Sequence, residues 1–411
     1  MKTRFRYFDF SLFIAVLMLV GISSIMIYSA SVWNRGDYAN SGLFYRQLVY
    51  AGIGIVVYFI ATMFRYENFR KPNILYGLYF VSVVLLFVTW AMPALNGARA
   101  WLIIGGFTMQ PVEVAKFVLI LLLANYYHQL WNHELKGLPG RLGRAAITKK
   151  GIRAQFGAFF IIPVIYFFLP YAIAINGQPD MGGLFVLGAI MFLMWLAVGA
   201  PLRIIVPAML VGFGLVYLMF TTIFSENQRS RIEVVFNPFM DPEGYGHQLL
   251  MSIISIVHGG LTGVGLGNSY QKYGYLPEPE TDYIMSIIAE ELGFIGVVVV
   301  LVLLFFIAFR AVNIANHSDS HFAMFVSFGI AAQIMVQTGI NIGAMSGWFP
   351  GTGVTLPLVS YGGTSLIMTM GILGVLSSIS MRNRHREATK RAEIREKSAE
   401  NVQSSSLHVV R

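Results

Sequence analysis

Runs of about 20 residues almost free of charge recur along the 411-residue chain, separated by short breaks that hold most of its Lys, Arg, Asp and Glu. Each is long enough to cross a hydrocarbon layer of about 30 Å as a helix. The runs cover 10–31, 48–64, 74–92, 111–131, 156–175, 181–199, 204–224, 283–309, 322–345 and 361–381. The pairs flanking Gln178-Pro179-Asp180 and Ala200-Pro201 can also be read as single broken helices. The first run follows Lys2, Arg4 and Arg6 and ends near Ser29-Ala30-Ser31, which suggests a cleaved leader. Its apolar stretch exceeds the roughly 7–15 residues of a signal peptide, so an uncleaved anchor is preferred. The pattern therefore predicts an all-α polytopic membrane protein of about ten transmembrane helices.

The breaks set the orientation. With the N-terminus inside, only Arg35, Arg46, Arg99, Arg229, Arg231 and Lys272 fall outside and Lys116 lies within the fourth run; all other basic residues of the 29 fall inside. Positive charge marks the cytoplasmic side, so both termini are expected there. Residues 1–381 then form the membrane domain and 382–411 a basic, partly helical cytoplasmic tail held near the inner leaflet. A basic loop at 132–155 lies on the same side. One long external segment, 225–282, is too apolar and too rich in Gly and aromatics to be disordered. Within it the stretch Leu249–Val257 is too short to cross and reads as an amphipathic or re-entrant helix.

Composition narrows what such a bundle does. With 56% hydrophobic and 12% charged residues a soluble globular domain is excluded. The absence of cysteine removes thiolate nucleophiles and Cys-based metal sites. The net charge of +9 is a topology and anionic-lipid signal, so no nucleic-acid partner is expected.

Polar residues gather at the external ends of the spans. Asn96-Gly97-Ala98-Arg99 precedes Gln110-Pro111-Val112-Glu113-Val114-Ala115-Lys116, where Pro111 suits a first helical turn. Glu113 and Lys116 lie three apart; they read either as a self-neutralising pair or, with Arg99, as ligands of an anionic group. Asp180 in the turn 178–180 reads as a helix cap before it reads as a substrate ligand. The long segment carries Arg229, Arg231, the Gly-rich stretch 259–269 and Lys272. No strand precedes those glycines, which excludes a dinucleotide fingerprint. Two prolines then stop any helix before Thr281, making Thr281 or Asp282 an N-cap candidate. Asp282, Ser286 and Glu290 fall at i, i+4 and i+8, a polar stripe on one helix face. A Gly/Pro-rich loop, 347–365, leads into the last span; irregular backbone there must line a cavity or be buried in protein.

The string Tyr275-Leu276-Pro277-Glu278 with Thr281-Asp282-Tyr283 and Glu290-Glu291-Leu292-Gly293 resembles the SEDS family of bacterial cell-wall polymerases. So do Thr352-Gly353-Val354-Thr355-Leu356-Pro357 and Ser360-Tyr361-Gly362-Gly363-Thr364-Ser365. The resemblance runs over about residues 8–382, and the Gly267-Asn268-Ser269 and Gln271-Lys272 strings look more like its division member than its elongation member. Ala100, Tyr283 and Gly183 depart from the family pattern. The resemblance implies a peptidoglycan glycosyltransferase that polymerises lipid II, releases undecaprenyl diphosphate, and works with a class B penicillin-binding transpeptidase and other divisome proteins. It places the enzyme in the bacterial cytoplasmic membrane with an external active site, and makes Asp282 the catalytic carboxylate. Arg99, Lys116, Arg229, Arg231 and Lys272 are then candidates for the diphosphate, and Glu113, Asp180, Ser286 and Glu290 for the rest of the substrate. No organic cofactor is implied, while a divalent cation such as Mg2+ has a place beside the diphosphate. A helix N-terminus would lower the pKa of Asp282, whereas Glu278, Glu280 and desolvation would raise it. A lipid II flippase, an elongation polymerase and a scaffold that recruits the transpeptidase are the other readings; charge gathered on one face rather than at the midplane favours the enzyme.

Overall fold

The computed structural model describes residues 6–31, 41–94, 98–104, 107–132, 156–178, 180–222 and 226–409. Asn96-Gly97, Gly105-Gly106, Pro179 and nearly all of the basic 132–155 loop lie outside the described residues. Every expected span falls on a helix: α1 (Phe10–Ser31), α2 (Ser41–Met63), α3 (Pro72–Val88), α4 (Pro111–Trp131), α5 (Leu169–Asn176), α6 (Met181–Ala197), α7 (Leu202–Thr222), α10 (Ile284–Asn316), α11 (His321–Met345) and α12 (Gly363–Val409). The fifth span enters α5 through two widened π-helical stretches, Gly157–Ile161 and Pro163–Phe168. Pro163 and Pro170 each remove a backbone donor there, which loosens the regular ladder.

Among the described residues, seven helical stretches are long and apolar enough to cross a membrane, and α6 and the first half of α7 are shorter apolar helices. The chain is a multi-pass membrane protein. α4 differs because protein covers it on nearly every side, so its surface need not be uniformly apolar: Glu113, Lys116, Asn125 and His128 are all buried. α11 sits at the centre, packed against α4, α6 and α10, while α12 lies along α2. Beyond the helices, β1 (Leu102–Ile104) and β2 (Phe107–Met109) form a small antiparallel hairpin with Ile103 opposite Thr108.

The end of the bundle that holds the termini is clamped by charge. Asp9, fully buried, accepts from Arg310 (2.9 Å), Arg384 (3.0 Å) and Ser380 (2.8 Å), tying the start of α1 to α10 and α12. Burial alone would raise its pKa, but the hydrogen bonds from Ser11, Ser380 and Arg310 hold it below the usual carboxylate value.

At the opposite end the long segment is ordered. It contains α8 (Glu226–Phe236) and α9 (Tyr245–Gly259), the short amphipathic helix expected from the pattern, which buries Leu249, Ser252, Ser255 and Gly259. α9 lies against α10. α10 is two helices joined at Gly293, whose φ of 68° and ψ of −169° break the ladder. A break in a spanning helix exposes backbone groups that lipid cannot satisfy. The loop after α9 meets them: Val264 N donates to Glu290 O (2.9 Å), Gly265 N to Glu291 O (3.0 Å), Phe294 N to Gly260 O (2.9 Å) and Ile295 N to Leu261 O (3.2 Å). The approach is close enough that a Cβ on Gly293 would overlap Gly263 N and Leu261 O.

Gly293→Ala therefore combines a left-handed φ with a backbone clash and should lower stability by more than about 2 kcal/mol. Gly52→Ala, in open space within α2, should change it by less than about 1 kcal/mol. Thermal unfolding of the two variants in detergent checks the contrast.

Candidate active site

The site forms where four elements end together, and Asp282 is at its middle. α10 begins at Ile284, and Tyr283 holds the N-cap position without a side-chain cap. The expected capping role for Thr281 or Asp282 is thus corrected: Pro277 and Pro279 keep the chain in turns through Tyr283, so the carboxylate of Asp282 is not spent on its own helix. For the same reason Asp282 does not lie on one helical stripe with Ser286 and Glu290. The backbone around it is strained, since Glu278 between the two prolines has φ of 48° and Leu358 in the facing loop has φ of 65°.

The loop 351–356 passes beside Asp282, with Oδ2 3.5 Å from the place a Cβ on Gly353 would occupy. Tyr361 N donates to Glu280 O (2.8 Å), fastening that loop to the Asp282 turn. Asn341 Nδ2 of α11 donates to Asp282 O (2.8 Å) and Val354 O (3.0 Å). From α8, Arg231 donates to Gly351 O (3.0 Å) and Tyr245 Oη (2.7 Å), its guanidinium 4.3 Å from the Tyr245 ring centre.

Asp180 lies close enough for the two carboxylates to repel one another. It caps α6 by accepting from Gly183 N (2.8 Å) and accepts from Gln110 Nε2 (3.3 Å). Burial raises its pKa, against the Gly183 N–H, Lys116 and Gln110, which lower it. Behind it, Lys116 and Glu113 form a buried ion pair at 2.7 Å. Asp282 itself is half-buried. Desolvation, then Glu278, Asp180 and Glu280, push its pKa up to about 7, against the opposing charge of Arg231. Desolvation and the neighbouring carboxylates outweigh Arg231.

Of the expected site residues the structure brings together Asp282, Asp180, Arg231, Lys116 and Glu113. It places the others apart. Lys272 is buried and donates to Glu291 (3.0 Å) and Ser29 (3.1 Å). Glu290 accepts from Tyr270 N (3.0 Å) and Ser269 Oγ and pairs with His258 (2.9 Å), while Ser286 bonds Ser252 (2.7 Å). These contacts pin the long segment to α10. Arg229 donates to Thr221 O (2.9 Å) and lines a separate open cleft of about 440 Å³ with Glu226, Glu233 and Asp241. Arg99 is exposed and donates to Trp90 O (3.2 Å). Among the described residues no three His, Cys, Asp or Glu side chains gather as a metal-ligand set. Sequence reasoning missed Asn341, Tyr245 and Gly353. The signal for Asn341 was present, because Gln333, Gln337 and Asn341 recur at i, i+4 and i+8 in an apolar run.

Residues 10–385 match the protein family described as Cell cycle protein, whose label joins FtsW, RodA and SpoVE. This chain belongs to that family. FtsW–RodA–SpoVE relatives match it almost end to end. Stage V sporulation protein E of Bacillus subtilis (strain 168) is 36% identical over 382 residues, 92% of this chain and 98% of that protein. The probable peptidoglycan glycosyltransferase FtsW of the same organism is 33% identical over 405 residues, 96% of this chain and 95% of that protein. Two solved structures share the fold. One, described as structural coordination of polymerization and crosslinking by a peptidoglycan synthase complex, aligns with a TM-score of 0.72 at 28% identity, over 92% of this chain and 98% of that one. The other, the Thermus thermophilus rod shape determining protein RodA, aligns with a TM-score of 0.63 at 26% identity, over 91% and 96%.

The buried ion pair gives a stability test. Lys116→Met leaves Glu113 buried without its cation and should cost about 3–5 kcal/mol. The double variant Glu113→Gln with Lys116→Met should recover most of that loss, as read from thermal unfolding midpoints in detergent.

Proposed function

We propose that this chain is a peptidoglycan glycosyltransferase of cell division that polymerises lipid II on the outer face of the bacterial cytoplasmic membrane. The observation that carries this reading is the half-buried Asp282 carboxylate, poised near pH 7 with Arg231 beside it. The names of the relatives support it. So does the charge pattern, because Asp282 lies at the end of the bundle opposite the basic tail.

The chemistry follows from the atoms. A sugar hydroxyl of the incoming lipid II gives its proton to Asp282 as its oxygen bonds to the anomeric carbon of the growing strand. The bond from that carbon to the diphosphate breaks, and the electron pair leaves with undecaprenyl diphosphate. A base with a pKa near the working pH suits the first event. Arg231 is held at the rim by Gly351 O and Tyr245, and a fixed cation there favours charge developing on the leaving group. Lys116 acts through Asp180 and the Glu113 pair. Among the described residues no three carboxylate or His side chains gather as a cage for a metal. A divalent cation such as Mg2+, which favours phosphate oxygens and keeps several waters, would travel with the diphosphate, and no step above passes through it. The partner is a class B penicillin-binding transpeptidase that cross-links the strand, within the wider set of division proteins.

Purified with that transpeptidase and given lipid II, the wild type should form glycan strands and Asp282→Asn should form none. Strand formation by Asp282→Asn at the wild-type rate would overturn the base assignment; transbilayer movement of lipid II without glycan would favour a flippase. The rate should rise with pH to a plateau above about 7 and fall about tenfold per unit below it, because only the deprotonated carboxylate accepts a proton. Stability runs the other way. A folded-state pKa above the ordinary value of 3.8 means that wild-type stability declines as pH rises from about 4 to about 7. Asp282→Asn should therefore be the more thermostable protein at pH 8, with a smaller margin at pH 5.

A further inference from the structure

We infer that Asn341 is a positioning residue for Asp282, its side-chain amide holding the Asp282 turn against the 351–356 loop. The inference rests on the polymerase reading and deepens it. Asn341 stands one turn from the end of α11, the central helix, and is 2% exposed. Its Nδ2 bonds both sides of the site at once, to Asp282 O at 2.8 Å and to Val354 O at 3.0 Å. Both partners are carbonyl acceptors, so the NH2 group must face them, which fixes the amide orientation. Its Oδ1 has no hydrogen-bond partner among the described residues. A buried amide with an unmet acceptor is costly in an apolar helix, and the return here is the bridge its donors make.

The bridge joins two segments with little regular secondary structure of their own. The Asp282 turn precedes its helix without a side-chain cap, and the facing loop is Gly- and Pro-rich. Tyr361 N on Glu280 O fastens the far side of the turn, and Asn341 fastens the near side. With both in place the loop shields the carboxylate. Glu278 and Glu280 face Asp282 from its own turn, Arg231 from α8, Asp180 from the cap of α6, and the Tyr283 hydroxyl from the next residue. Releasing Asn341 lets the turn move away from the loop and admits water to the carboxylate, while Arg231 and Lys116 keep their own partners.

Two variants test this. Asn341→Ala removes the bridge, and Asn341→Asp keeps its shape while replacing the amide donors. Lipid II polymerisation by each, with the transpeptidase present and rates normalised to folded protein by size exclusion, should show kcat lowered about 10- to 100-fold. KM should stay within about threefold. The acid limb of the pH–rate profile should move at least about one unit lower in Asn341→Ala, as a better-hydrated carboxylate titrates nearer its ordinary value. Wild type and Asp282→Asn are the controls: if the wild type makes no glycan, or Asp282→Asn does, the polymerase reading has failed. If the controls behave and both Asn341 variants keep the wild-type kcat and limb, the positioning role is overturned. A rate loss matched by an equal loss of folded protein, with KM and limb unmoved, overturns it as well.

Discussion

The break in α10 at Gly293 is the constraint on which the rest of the structure depends. A spanning helix that breaks partway leaves amide and carbonyl groups that lipid will not meet. Here the loop after α9 meets them with four backbone bonds. That requirement explains why 225–282, which sequence places outside the spans, is ordered rather than loose. Once the loop is docked, Lys272 and Glu290 are drawn in with it, and both become part of the joint. The two helical turns between Asp282 and Gly293 are then held from both ends, by the docked loop below and by the 351–362 loop above.

Charge in this chain is sparse, and at several buried positions it is matched at once. Asp9 meets Arg310 and Arg384, Glu113 meets Lys116, and Glu291 meets Lys272. At the Asp282 turn the pattern differs. Asp180, Glu278 and Glu280 all act on Asp282 in the same direction, and Arg231 opposes them. A surplus of carboxylates in a desolvated recess raises the proton affinity of Asp282, and that separates this recess from the paired ions elsewhere.

Hydropathy made the spans legible because a helix in lipid has no cheaper way to satisfy its backbone, and each expected run falls on a helix. The basic breaks carry an expected orientation, because cations favour the cytoplasmic side. Pairing was not legible. Lys272 looks like a free cation in sequence because its partners, Ser29 and Glu291, are 243 and 19 residues away. The β1–β2 hairpin escaped because three-residue strands carry too few alternations to show a period. Asp282 stood out through its prolines and neighbouring acids, whereas the place of Asn341 rests on two carbonyl partners 59 and 13 residues away. The start of α10 moved to Ile284 because the capping rule assumes a side chain free to bend back.

α12 carries a consequence of scale. Gly363–Val409 is one continuous helix of 47 residues, about 70 Å long at 1.5 Å per residue. The hydrocarbon layer takes up about 30 Å of that, so the helix is about 40 Å longer than a span requires. A helix that outruns the layer carries its charged residues, from Arg382 onward, past the hydrocarbon.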